Sequence, residues 1–261
     1  MNNSKVYWIT GAGSGIGKAI ALALASDGHK VVASGRNEEK LEGLVAESES
    51  LSGSVVSMPC DVADAKQMQS LFQQTGIDSL DGIILSAGTC EYTTLPKFDL
   101  EMYKRVMDTN FYGVINCVSA AFPLLSEAGK RNTSAKPQII GLGSMSSYLG
   151  FPRAQAYGAS KAAMSYFLDS LRADLGKYFD ITVVYPGFVE TPLTDKNDFE
   201  MPFLMDSESA AKVITKKMKK RPLKIVFPLR LHIMLSILKF FSRLWYSHIT
   251  PRMTRTEGSK I

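Results

Sequence analysis

Short apolar runs rich in Val and Ile recur along the chain. Between them lie longer stretches whose apolar positions repeat every three or four residues. The first pattern is that of strands covered on both faces, the second that of amphipathic helices. Residues 6–10, 30–33, 55–58, 81–85, 137–141, 181–185 and 224–227 read as strands. Residues 16–25, 38–49, 67–73, 99–128, 157–178 and 208–220 read as helices, the fourth interrupted near Pro123. Pro186-Gly187 stops the sixth strand and Pro228 the seventh. Strand and helix alternate throughout, which predicts an α/β fold. It should be a Rossmann-like, doubly wound, parallel seven-stranded sheet with helices on both faces. No repeat or low-complexity linker divides the chain. Residues 1–228 are therefore expected to form one domain, with residues 229–261 a C-terminal amphipathic helical extension of it.

Composition narrows the class. A chain of 261 residues, 45% hydrophobic and 21% charged, has the make-up of an ordinary globular domain. Its three cysteines, Cys60, Cys90 and Cys117, are scattered and lack metal-ligand spacing, which predicts reduced thiols, no metal and a cytoplasmic setting. The N-terminus runs directly into a strand-like segment, so no secretory leader is expected. Charges recur closely enough that no membrane-spanning helix is expected either. The net charge of +5 comes largely from the C-terminal third. No basic patch with interleaved aromatics suggests nucleic-acid binding.

The first strand runs into Thr10-Gly11-Ala12-Gly13-Ser14-Gly15-Ile16-Gly17, and a helix begins inside that run. Glycines let backbone N–H groups approach a pyrophosphate, and a helix N-terminus adds partial positive charge. The turn therefore predicts a dinucleotide site through Gly11, Ser14, Gly15, Ile16 and Gly17, against the alternative of a glycine-rich turn with no ligand. At the end of the second strand an acidic residue would bind the adenosine ribose. Here Ala33-Ser34-Gly35-Arg36-Asn37 offers an arginine instead. Arg36 suits a 2′-phosphate, so NADP(H) is expected ahead of NAD(H). Asp61, after the third strand, reads either as an adenine contact or as the N-cap of the next helix.

Tyr157-Gly158-Ala159-Ser160-Lys161 places a phenol and an ammonium four residues apart on one helix face. A phenol with a pKa of about 10 needs tuning to act as acid or base, and a nearby ammonium lowers it. Upstream, Gly143-Ser144-Met145 follows the fifth strand and offers a hydroxyl to a carbonyl oxygen.

With these motifs in this order, the chain resembles the short-chain dehydrogenase/reductase family over nearly its full length. The resemblance implies that residues 1–228 form a dinucleotide-binding and catalytic domain that interconverts a carbonyl and an alcohol. It implies that Tyr157 is the general acid and base, that Lys161 lowers its pKa and binds the nicotinamide ribose, and that Ser144 orients the carbonyl. Asn110, in Asp108-Thr109-Asn110-Phe111, would anchor a relay water near the lysine. Val62, Ala87 and Gly88 would line the cofactor, and Pro186, Gly187 and Thr191 its nicotinamide end. One departure is Ser86-Ala87-Gly88, where the family usually has Asn-Ala-Gly. The family also implies a homodimer or homotetramer through regions that include residues 101–122 and 157–178. A non-catalytic NADP(H)-binding regulator on the same fold is the alternative.

Residues 229–246 are almost wholly apolar, with His232, Ser236, Lys239 and Arg243 on one helical stripe. The apolar face either packs on the domain, a second subunit or the substrate pocket, or lies on a membrane through residues 229–247 as a peripheral contact. Either reading suggests an apolar substrate, a lipid-derived ketone or aldehyde in the second. Phe188, Phe199, Met201, Phe203, Leu204 and Met205 read as an apolar lid after the sixth strand. Lys216, Lys217, Lys219, Lys220 and Arg221 read as a solvated helix end or a contact for anionic lipid.

Overall fold

Successive residues of a strand face opposite sides of its sheet, and here both sides are covered. In the computed structural model, which describes residues 4–73, 75–93, 95–131, 135–195, 197 and 199–253, seven strands form one parallel sheet. They are β1 (Val6–Thr10), β2 (Lys30–Ser34), β3 (Ser54–Ser57), β4 (Gly82–Leu85), β5 (Gln138–Leu142), β6 (Asp180–Pro186) and β7 (Lys224–Phe227), in the order β3-β2-β1-β4-β5-β6-β7. Trp8, Val32, Ile83, Ile139 and Val183 point into one layer. Their neighbours Ile9, Val31, Ile84, Ile140 and Val184 point into the other.

The second layer holds α1 (Gly15–Ser26), α2 (Glu38–Ser48) and, late in the chain, a helix at Ser207–Met218. The first holds α3 (Ala65–Ser70), α4 (Leu100–Met107), α5 (Gly113–Arg131) and α6 (Gln155–Leu175), of which α4 packs on α6 rather than on the sheet. The helix at Ser207–Met218 is α7, and α8 (Leu229–Phe240) joins the first layer.

Four expectations change. The break in the region 99–128 is not at Pro123, which sits inside α5 with Ser119, the residue four before it, exposed to water. It is a π-helical turn at Asp108–Tyr112. Residues 109–126 carry no charge, contrary to the expectation of closely spaced charges, and the stretch Leu100–Arg131 is long and apolar enough to cross a membrane by composition. In the fold its Val114, Cys117, Val118, Ala121 and Leu125 pack in the first layer's core. Asp61 does not cap the third helix: Asp64 does, accepting from Lys66 N and Gln67 N. Finally, the C-terminal segment is not one helix over 229–246. α8 ends at Phe241, whose φ of −97° and ψ of 52° leave the helical region, and short helical turns follow at Ser242–Leu244, Trp245–Ile249 and Thr250–Met253. Residues 1–3 and 254–261 of the expected domain and extension lie outside the described residues.

Candidate active site

The chain runs outward from β1 to β3 and returns to β4, so the strand order reverses between β1 and β4. At such a reversal the loops leaving the C-terminal strand ends diverge and leave a crevice. Here it is a cleft of about 360 Å³. Gly11 and Ser14 line it from the turn after β1, Arg36 from beyond β2, Asp61 and Val62 from beyond β3, and Ala87 and Gly88 from beyond β4. Gly13, Asn37 and Lys40 line it as well and were not foreseen. Asn37 caps α2 by accepting from Lys40 N, and that places the Lys40 side chain beside Arg36 at the cleft.

Close packing explains the turn. Gly11 has φ +68°, and a Cβ there would lie 2.8 Å from the Ala87 backbone. A Cβ on Gly17 would lie 2.3 Å from Gly11 O, so Gly17 holds the turn together and does not line the cleft. Ile16 likewise turns its side chain into the second core layer. Ser14 precedes α1 without a side-chain capping bond. The first N–H groups of a helix have no intrahelical partner and remain free for an anion. A helix end without a side-chain cap, a glycine-rich turn and the cations Arg36 and Lys40 in the same lining fit a dinucleotide phosphate. Asp61 bonds Ala63 N with one carboxylate oxygen at 3.0 Å and borders the same cleft.

The chemical end lies one strand further over. Asn110 is fully buried in the π turn. Its Oδ1 accepts from Thr89 N at 2.8 Å, and its Nδ2 donates to Thr89 O and to Ser160 Oγ, both at 2.9 Å. Those bonds use both amide hydrogens, so the side chain is a strut between the loop after β4 and α6. The Ser86 departure is accommodated: its hydroxyl packs against Gly17, and Ala87 N donates to Thr10 Oγ1 at 3.2 Å.

Ser144 leaves β5 in an extended conformation and its Oγ accepts from Ser146 N at 3.1 Å. Its side chain also hydrogen-bonds Tyr157. Lys161, 6% exposed, donates from Nζ to Leu142 O at 2.8 Å, and that Nζ lies 5.9 Å from the centre of the Tyr157 ring. Burial pushes the Tyr157 hydroxyl up to about 12, the Cys90 thiol adds to the rise, and the Ser144 bond opposes it. Burial also pushes Lys161 down to about 8. The expected lowering of Tyr157 by Lys161 is therefore not met. The ammonium is turned to a backbone carbonyl, and burial, which disfavours the phenolate, sets the direction of the shift.

Around this centre, Thr191 packs against Gly15, and Gly187 donates from its N–H to Phe227 O at 2.8 Å beside Leu231 of α8. Of the expected lid, Phe188 stacks edge-on with Phe199, and Phe199 with Tyr92 from the loop after β4. Tyr92 also bonds Asn197 and carries the Arg153 guanidinium 5.3 Å from its ring centre. Phe203 and Leu204 are exposed, and Met205 is pinned in a β-bridge with Val189. Cys90 and Tyr92 had no signal in the sequence, since only the fold brings them to Tyr157.

A family model described as short chain dehydrogenase matches residues 5–201. The chain belongs to the short-chain dehydrogenase family. An uncharacterized oxidoreductase of Myxococcus xanthus is 34% identical over 85% of this chain and 87% of its own length. The 11-beta-hydroxysteroid dehydrogenase A of Sesamum indicum is 36% identical over 73% of this chain, which spans 54% of that plant protein. Among solved structures, the Pseudomonas aeruginosa RhlG/NADP active-site complex is 26% identical with a TM-score of 0.69, covering 73% of this chain and 75% of that one. A short-chain dehydrogenase from Sphingobium yanoikuyae in complex with NADPH shares the fold over 98% of this chain and 99% of its own, with a TM-score of 0.77 at 19% identity. As a short-chain dehydrogenase, this chain is an oxidoreductase acting between a CH–OH group and a carbonyl.

Proposed function

We propose that this short-chain dehydrogenase is an NADP(H)-dependent reductase of an apolar carbonyl compound, with Tyr157 as its proton donor. The observation that carries the reading is the Ser144–Tyr157–Lys161 group, with Lys161 next to Gly88 of the cleft that the glycine-rich turn, Arg36 and Lys40 line. When bound, the cofactor supplies or accepts a hydride. Ser144 holds the carbonyl oxygen by a hydrogen bond that strengthens as negative charge builds there. Tyr157, pushed up to about 12 by burial, is protonated at neutral pH and gives its proton to that oxygen. Lys161 as an ammonium stabilises the phenolate left behind, and Asn110 fixes the loop that borders it. Arg36 and Lys40 would hold the 2′-phosphate of NADP(H), with Asp61 near the adenine.

The apolar character of the substrate rests on Tyr92, Phe188 and Phe199, which stack on one another, with Tyr92 close enough to Tyr157 to feel its charge. The NADP-bound relative from Pseudomonas and the plant hydroxysteroid dehydrogenase are consistent with this reading. Three buried cysteines, none in a disulfide among the described residues, fit a reducing cytoplasm. Tyr112 and Tyr166, 53% and 78% exposed on the π turn and α6, fit a homodimer or homotetramer through residues 101–122 and 157–178. Consumption of NADPH with aldehydes and ketones of rising apolar size tests the assignment, with Tyr157→Phe as control. Turnover should rise with apolar size and vanish in the variant while NADPH binding persists. Undiminished turnover in Tyr157→Phe would sink it.

A further inference from the structure

α8 is apolar along two opposite faces. Leu231 and Leu235 are 3% and 2% exposed and enter the first layer's core, with Leu238 against it. Opposite them, Leu229, Ile233, Ile237 and Phe240 follow one another at spacings of four, four and three, the spacing of a single helical stripe. They are 60%, 57%, 54% and 83% exposed, and Phe241 and Leu244 extend the bare surface past the helix break. The polar residues His232, Ser236 and Lys239 lie on the flank between these faces. His232 stacks edge-on against Tyr148, and the Lys239 ammonium sits 5.9 Å from the same ring. An apolar stripe of this length left to water marks an interaction surface.

Charge identifies the partner. Of the chain's 30 Lys and Arg, twelve fall between residues 209 and 256, a stretch with no Asp or Glu. Lys219 and Arg221 are paired with Asp27 and Asp180. Arg230, Lys239 and Arg243, which border the stripe, are exposed and in no ion pair among the described residues. A second copy seated two-fold on this stripe would set those cations against their own equivalents without an acid to neutralise them. An anionic bilayer offers apolar depth and negative charge together.

We propose that the outer face of α8, with Phe241 and Leu244, docks this protein on anionic lipid surfaces. The proposal is independent of the reaction assigned above. The docking segment is fixed to the domain beside the catalytic loops. Trp245 Nε1 donates to Gly150 O at 2.9 Å, Tyr246 accepts from Gly150 N at 3.1 Å, and Leu231 packs beside Gly187.

Co-sedimentation of the full chain with vesicles of phosphatidylcholine, alone or with one part in three of phosphatidylglycerol, tests the proposal. Binding should be at least about tenfold tighter to the anionic vesicles and should weaken with salt. Arg230→Ala and Lys239→Ala should each weaken it about fivefold. Ile237→Ser with Phe240→Ser should weaken it by at least about tenfold with the unfolding midpoint unchanged, both side chains being exposed. Failure to bind either vesicle, or equal binding to both, overturns the proposal. So does a dimer in solution that Ile237→Ser with Phe240→Ser dissociates, since a second copy would then cover the stripe.

Discussion

Lys161 should make the folded protein less stable at neutral pH than at high pH. The residue is 6% exposed, and burial lowers its pKa from 10.5 to about 8. At about 1.4 kcal/mol per pH unit this corresponds to a penalty of about 3 kcal/mol for folding with the charged group. The sign follows from proton counting: between pH 8 and 10.5 the unfolded chain holds a proton at Lys161 that the folded chain has released. Stability from this group therefore rises with pH across that window, and the full penalty is felt below it. Lys161→Met removes the titration. It also leaves Leu142 O without its 2.8 Å partner, a cost of about 1–3 kcal/mol that does not depend on pH. Chemical denaturation of both proteins without cofactor, from pH 7 to pH 11, isolates the residue because all other titrations are shared. The stability of the wild type relative to the variant should climb by about 3 kcal/mol. A flat difference would refute the reasoning, because Lys161 would then be solvated well enough to keep its ordinary pKa.

Three further outcomes follow from the same geometry. Reduction should slow as pH rises through about 8, where Lys161 loses the charge that stabilises the Tyr157 phenolate; a rate constant unchanged to pH 10 would contradict this. Arg36→Ser with Lys40→Ala should weaken NADPH binding about 10- to 100-fold and NADH binding little, since only NADPH carries the 2′-phosphate; fluorescence titration of both nucleotides distinguishes this from general damage. Gly17→Ala should destabilise by about 1–3 kcal/mol, because its Cβ would meet Gly11 O at 2.3 Å. Gly43→Ala on α2, with open space around it, should instead stabilise by about 0.5–1 kcal/mol in the same denaturant experiment.

The sheet was legible because its strands are continuous apolar runs bounded by Gly and Pro, and the seven strands lie within a few residues of their expected limits. The glycine-rich turn and the Tyr157–Lys161 spacing were legible because both are local. Three things were not. The π turn at Asp108–Tyr112 contains no Gly or Pro to mark it, whereas Pro123, which the sequence does display, sits inside α5. The break at Phe241 has no Gly or Pro to mark it, and the polar stripe His232, Ser236, Lys239 and Arg243 keeps its helical spacing across it. The rise in the Tyr157 pKa depends on burial, which the sequence does not display, whereas the ammonium four residues on, which it does display, bonds Leu142 O. Lys40 could have been found: an asparagine cap at 37 sets its place on the first turn of α2, four residues beyond Arg36.

The bonding around the centre divides it into a fixed part and an adjustable part. Thr10 to Ala87, Asn110 to Thr89 and Ser160, and Lys161 to Leu142 join β1, β4, β5 and α6 through buried or half-buried hydrogen bonds. Each ties an element whose place is already set by the sheet, so Ser144, Tyr157 and Lys161 keep their geometry whatever occupies the cleft. The segment after β6 is held differently: the Val189–Met205 β-bridge and the side-chain bonds of Thr194 to Val189 O and Ser207 to Glu190 O fold it on itself, while the Tyr92–Asn197 bond and ring contacts among Phe188, Phe199 and Tyr92 join it to the loop after β4. Ring contacts tolerate changes of size and shape that a buried hydrogen bond does not. Changes at Tyr92, Phe188 or Phe199 should therefore alter which carbonyl compounds are accepted while leaving the proton transfer intact.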